Sequence, residues 1–214
     1  LCLLAFGQGE GKLWTEIGVK GAVSKKMDWG MEFKNRFDNR GLETFFPQLS
    51  IKYKVNKWFK PSIDYRAIVD RKKNGDYSFS NRLNFNATGK FVVNRFSISG
   101  RLRYQYAFGR LMSAAYDPEF DQAFRFKPEI SYDINNSIFS PVASIEFFYD
   151  PSFHAYGRRF TKYRLFLGAE LELDSPFGIS IGYILDEKIQ LPNPKTRHIV
   201  SLSVAYKFGK NKKK

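Results

Sequence analysis

The chain has 214 residues, with 35 Lys and Arg against 21 Asp and Glu, a formal net charge of +14 and a single cysteine. One cysteine excludes a disulfide framework and a cysteine-cluster metal site. A mean hydropathy of −0.41 excludes a bundle of membrane helices but not a membrane barrel, whose lumen-facing half is polar. The length suits one all-β domain, and 17 % aromatics is what rings belting two interfaces require.

The first residues, LCLLAFGQGEG, carry a short apolar run followed by small and polar residues, like the end of a secretory signal peptide. Residues 1–8 are therefore expected to be a signal remnant, with cleavage near Gly7 to Gly9 and Cys2 as filler within it. Residues 9–208 are expected to form a single barrel domain, and 209–214 a basic tail.

From Leu13 onward apolar and polar residues alternate, and in a strand successive side chains point to opposite faces. Leu13 to Ser24 sets Leu13, Ile17, Val19 and Val23 against Glu16 and Lys20. Asp28 to Asp38, Phe45 to Val55 and Phe59 to Asp70 repeat the division, as does Tyr77 to Thr88, which leads through a turn containing Gly89. Arg95 to Phe108 opposes Arg101 and Arg103 to Leu102, Tyr104 and Tyr106 over a length well beyond the usual five or six residues of a strand. Phe124 to Ile134, Pro141 to Asp150, Phe160 to Asp174, Phe177 to Asp186 and His198 to Phe208 complete eleven segments.

Short turns near Lys25, Asn56, Gly89, Asn135 and Ser175 alternate with longer connections at Arg40, Lys72, Met112 to Glu119, Ser152 to Gly157 and Gln190 to Thr196. Short turns on one side and longer loops on the other fit a closed antiparallel up-and-down transmembrane β-barrel. An even strand number is usual there. The expectation is 12 strands, the extra one near Gly9 to Trp14, with 10 as the fallback.

The cost of a cation in lipid decides which face is outside. A Lys or Arg on the lipid face at mid-membrane costs about 2–4 kcal/mol, so the charged parity must line the lumen. The expected lumenal network comprises Arg36, Arg66, Arg82, Arg101, Arg103, Arg125 and Arg164, answered by Glu129, Glu146 and Glu170. Asn35 and Asn81 fall on the apolar parity, and Ile68, Phe148, Phe166 and Ile184 on the polar one, which points to a partly filled interior.

The run WTEIGVKGAVSKKMDWGMEFKNRFDN, the YRAIVD and RLRYQYAF strands, the FKPEISYD to PVASIEFFYD pair, YRLFLGAELEL and the closing HIVSLSVAYKF together span nearly the whole chain after the signal. They resemble the outer-membrane barrel family catalogued as domain of unknown function 2490. The resemblance implies a barrel fold and a bacterial outer-membrane location; it brings no established activity.

No enzyme and no cofactor are expected. A Ser-His dyad needs hydrogen-bond reach, whereas His154 sits in a loop beside Ser152, and His198 lies on the apolar parity three residues before Ser201. The carboxylates Glu170 and Glu172 share their parity with many arginines and read as ion-pair partners, while Asp117, Glu119 and Asp121 read as solvated charges. Rings and arginines around Arg101 occupy opposite faces, so a nucleic-acid platform, which needs them together, is not expected as a partner.

The leading functional expectation is a narrow channel for small polar or anionic solutes. The second is a plugged structural or accessory subunit with an outer-membrane protein partner, and the third a soluble basic β-protein binding nucleic acid. Outer-membrane lipid is the expected surrounding of the first two.

Overall fold

The computed structural model describes residues 10–72, 74–108, 122–153, 155, 157–171, 173–190 and 194–209. Residues 1–8, where a signal remnant with Cys2 is expected, the segment Met112 to Glu119 with Asp117, and Asp121, His154, Glu172 and residues 210–214 lie outside them.

Among the described residues eleven strands run in chain order: β1 (Glu10–Ala22), β2 (Met27–Asp38), β3 (Gly41–Tyr53), β4 (Phe59–Arg71), β5 (Tyr77–Val93), β6 (Phe96–Phe108), β7 (Ala123–Tyr132), β8 (Phe139–Asp150), β9 (Arg159–Leu171), β10 (Phe177–Lys188) and β11 (Thr196–Lys207). Each pairs antiparallel with its neighbour, and β1 closes on β11 in parallel, from Glu10 opposite Arg197 to Lys20 opposite Lys207. The count is thus neither 12 nor 10, and the barrel is not wholly antiparallel. The reason is geometric: hairpins reverse the chain at every step, so an odd number of strands leaves the first and last pointing the same way. A parallel seam is then what leaves no open edge. Of the stretch expected to hold the extra strand, Gly9 lies outside the described residues and residues 10–14 form the start of β1.

Connections divide between two ends. At the turn end β1 is joined to β2, β3 to β4, β5 to β6, β7 to β8 and β9 to β10; at the loop end lie the strand ends of the pairs β2 and β3, β4 and β5, β6 and β7, β8 and β9, and β10 and β11. Two expected connections differ. Gly89 lies inside β5 opposite Gly100 of β6, and the reversal comes at Asn94 and Arg95, where Asn94 takes a φ of 54° that suits a two-residue hairpin. At Arg40 the connection is also only two residues: the Asp38 carboxylate accepts from the Arg40 amide (2.8 Å), and Gly41 takes a φ of 99°.

Alternation sorts the side chains as a barrel wall requires. Outward positions leave large apolar groups exposed, among them Ile17, Leu49, Ile63, Leu102, Leu167 and Ile181. Polar groups on that face answer one another: Asn35 donates to the Thr15 hydroxyl (3.2 Å), and the Tyr65 hydroxyl donates to Asn81 (2.6 Å). Aromatic pairs gather toward both ends. Trp29 with Phe208, Trp58 with Phe91 and Phe96 with Tyr132 flank the turn end; Tyr106 with Phe108, Tyr104 with Phe124 and Tyr149 with Phe160 lie toward the loop end.

The core is the lumen itself. Phe46, Ile68, Phe148, Ile184 and Ile199 are buried there beside buried Asp64, Arg66, Arg82, Arg103, Arg125, Glu146 and Asp186. Where β9 and β10 meet, Gly168 stands opposite Gly182 and the inward Phe166 ring lies across them. A Cβ at Gly182 would come within 2.4 Å of that ring, so the backbone must be bare for the ring to lie flat on the wall.

Candidate functional site

Inward positions at mid-height converge on one cavity of about 310 Å³. Arg36 of β2, Arg66 of β4, Arg82 of β5, Arg101 and Arg103 of β6, Arg125 of β7 and Arg164 of β9 line it with Lys34 and Lys127; among the described residues the acids in its wall are Glu16 and Glu146. Six strands therefore contribute an arginine to one chamber, because each is even-numbered or odd-numbered according to which parity its hairpin register turns inward.

The acids organise part of the wall. Glu146 is gripped by Arg125 through two bonds (2.7 and 3.1 Å) and by Arg101 (2.7 Å), with Arg164 at 3.7 Å. Asp64 receives Arg103 (3.1 Å) and Asn86 (3.0 Å). Nearer the loop end Asp186, 1 % exposed, meets Lys162 and Arg164 (both 3.3 Å) and Arg197 (3.8 Å). Arg164 thereby joins two carboxylate clusters. Lys12 binds Glu43, and Arg71 binds Asp38 through both oxygens (2.6 and 2.7 Å). Buried charges held in this way are paired with opposite charge, and removing one partner strands the rest.

Other arginines are held by rings. Arg36 lies against both Trp14 (4.2 Å to the ring centre) and Phe46 (5.0 Å), and Phe46 also carries Arg66 (4.4 Å). Trp14 also carries Arg164 (4.6 Å), which reaches Phe148 (5.3 Å), itself covered by Arg125 (4.3 Å). The result is an alternating file of guanidinium and ring that crosses the lumen from β4 to β7. Desolvated contacts of this kind are worth about 2 kcal/mol each. Arg66 donates through Nε and Nη2 to the neutral Gln48 side chain, and among the described residues no carboxylate lies within salt-bridge distance of it.

Eight of the ten residues expected in the network (the seven arginines and Glu146) line this cavity. Glu129 does not reach the arginines: it pairs with Lys127 at 2.6 Å. Glu170 sits lower, in a second space of about 370 Å³ at the turn-end mouth with Lys20 and Lys207. Arg101 and Arg103 point inward while Tyr104 and Tyr106 point outward. His198 faces outward against the Tyr183 hydroxyl, and Ser201 lines the cavity on the opposite side of the wall.

Sequence reading missed the rings that position the cations. Trp14 shares its parity with Glu16 and Lys20, and Phe46 with Gln48. A large aromatic on the charged parity was the signal available, since it marks a ring pointed at arginines and not at lipid.

A search of curated proteins found no match. A family model described as "Protein of unknown function (DUF2490)" matches residues 11–194, from the start of β1 to the connection before β11. Over most of its length, then, this closed β-barrel with an arginine-lined interior carries that family's pattern, and the chain belongs to the DUF2490 family.

Proposed function

We propose that the protein is an integral β-barrel of the bacterial outer membrane whose lumen is a narrow, cationic chamber admitting small anions. The single observation that carries this is the division of the wall: Leu102, 60 % exposed, stands between inward Arg101 and Arg103 on the same strand, and the other strands repeat that arrangement. A surface of exposed Ile, Leu and Phe around a closed sheet matches hydrocarbon, and the paired aromatics toward both ends match the two interfaces. The parallel seam supports the same reading. It leaves no unpaired backbone edge, which a bilayer does not tolerate.

An odd strand count departs from the even number usual in single-chain bacterial barrels. Closure satisfies the bilayer requirement whatever the count, so the departure bears on where the ends of the sheet lie and not on whether it spans. Strand lengths of 10 to 17 residues meet the roughly 9–11 that a tilted crossing needs.

Inside, the turn-end rim places Lys20, Lys52, Lys60, Lys90 and Lys207 on the inward parity, leading to the arginine chamber. Such a cationic funnel concentrates anions and repels cations. A second reading, a plugged structural or accessory barrel with a protein partner, is favoured by the buried Ile68, Phe148, Ile184 and Ile199 in the loop-end half of the lumen.

Folding the purified chain into planar bilayers tests both readings. Small conductance steps with a reversal potential on the anion side of a salt gradient support the chamber as a passage; a folded, inserted protein that conducts nothing leaves the accessory reading. Recovery of the protein from cells in the membrane-free fraction without detergent would overturn the membrane setting altogether.

A further inference from the structure

The turn end is not alike all the way round. Three neighbouring hairpins, β1–β2, β3–β4 and β5–β6, carry exposed cations in their connections: Lys25 and Lys26, then Lys57, then Arg95. The β7–β8 and β9–β10 connections carry exposed Asp133 and Asp174 and, among the described residues, no cation. Asp28, at the start of β2, is already held by Lys54 (2.6 Å) and does not offset the basic tips. Backbone bonds tie those tips together, the Lys54 amide donating to the Lys26 carbonyl (2.7 Å) and the Lys90 amide to the Trp58 carbonyl (2.8 Å). The cations therefore form one sector and do not ring the barrel.

The same sector is apolar where lipid does not account for it. Because β4 begins at Phe59, opposite Gly89, residues Phe91 to Val93 run past its start and keep ladder pairing with β6 alone. Phe91 stacks on Trp58 (6.3 Å between ring centres), and Lys57 lies on the same indole at 4.7 Å. Val92 shares the inward parity of Lys90, which turns it away from hydrocarbon, and it is nevertheless 67 % exposed. Exposed apolar groups beside cations are the composition of a docking surface, with anchors in the middle and charge at the rim.

The sidedness selects the class of partner. Anionic headgroups also attract lysine, but a leaflet surrounds a barrel on every side, whereas these cations occupy one. A protein bound from one side needs one sector, and complementarity of charge sets its sign.

We propose that the turn-end sector formed by the β1–β2, β3–β4 and β5–β6 hairpins docks a protein partner through an acidic segment bearing apolar side chains. Trp58, Phe91 and Val92 receive the apolar groups, and Lys25, Lys26, Lys57 and Arg95 receive the carboxylates. This assignment rests on the membrane reading above and deepens its accessory form, by placing the partner's surface and giving its chemistry.

A benzoylphenylalanine photo-cross-linker placed at Val92 of the full chain, irradiated in the cells that make the protein, reads the contact. A discrete protein adduct is expected at Val92, its cross-linked peptide rich in Asp and Glu by mass spectrometry, with little or none from the same probe at Asp174. Combining Lys25→Glu, Lys57→Glu and Arg95→Glu should lower the adduct yield about tenfold or more, since like charges at a rim oppose association. Should that variant fail to reach the membrane, Lys25→Gln with Lys57→Gln and Arg95→Gln should lower the yield in the same direction by less.

An adduct with lipid alone would assign the sector to an anionic leaflet and remove the partner. Equal adducts from Val92 and Asp174, a cross-linked peptide without acids, or a yield indifferent to the charge changes would each sink the proposal. Fractionation of the same cells separates its failure from that of the membrane reading. Membrane-bound protein without a protein adduct removes the docking surface and leaves the barrel in its bilayer; protein in the membrane-free fraction removes both.

Discussion

The two halves of the lumen obey the same alternation and end in opposite states. Toward the loop end, Lys12, Thr44, Ile68, Phe148, Asp150, Lys162 and Asp186 are all buried, and the acids Asp38, Glu43 and Asp186 hold cations at short range. Toward the turn end, inward Lys20, Lys52 and Lys90 are exposed, and small residues such as Gly178, Ser180 and Ser203 leave space around Lys207. Inward-pointing charge therefore does not by itself make an aqueous interior. Where acids stand within reach of the cations the interior closes into a packed network; where lysines face small residues it stays open. The chamber of arginines lies between the two, with acids enough to anchor Arg125 and Arg101 and rings to anchor Arg36 and Arg66.

Breaking the closed half should have the largest effect. Asp186→Ala would leave Lys162, Arg164 and Arg197 around an empty position, at a cost of about 3–5 kcal/mol, read as a large drop in the denaturant midpoint of the folded barrel. An unchanged midpoint would mean that solvent already reaches this half.

At the height where the halves meet, Leu102→Arg puts a cation on the outer face at the centre of β6. Vesicle-folded protein should lose about 2–4 kcal/mol, with much less lost in detergent. Equal, small losses in both would count against lipid on that face.

Gly182→Ala tests the packing of Phe166 against the wall. The added methyl meets the ring and should cost about 1–3 kcal/mol, and trimming the ring with Phe166→Leu in the same chain should return much of it.

The smallest stability effect belongs to the open half. Lys52→Glu with Lys90→Glu should change the unfolding midpoint by no more than about 0.5 kcal/mol in equivalent stability, since both are exposed. The same pair should move the reversal potential toward the cation side. A stability loss as large as that of Asp186→Ala would show that the turn-end lysines are packed, and the contrast between halves would fall.

Much of this was legible in the residue order. Alternation from Leu13 to Phe208 marks eleven segments that match the strands, though the usual even count pointed to 12, and it turns all seven arginines to the parity that lines the cavity. Ile68, Phe148, Phe166 and Ile184, out of place on the polar parity, announced a partly filled interior, and each points inward in the fold. Other features were not legible. Gly89 reads as a turn, yet the hairpin waits for Asn94, because pairing of β5 with β6 runs through Gly89 and Gly100 and outweighs a local glycine preference. Glu129 reads as an arginine partner, but Lys127 on its own strand lies nearer than any arginine across the lumen.

By itself, then, the order of residues determined the strands, the two faces of the wall and the identity of the charges inside it, because a period of two is a local property of the chain. Only the tertiary structure decided how the sheet closes and how the charges are shared. An odd count requires a parallel seam between residues far apart in sequence, and the grouping of Arg66, Phe46, Arg36, Trp14 and Arg164 into one file draws on four neighbouring strands and a fifth facing them across the lumen. Both depend on register around a closed circle, and no segment of the chain contains that information alone.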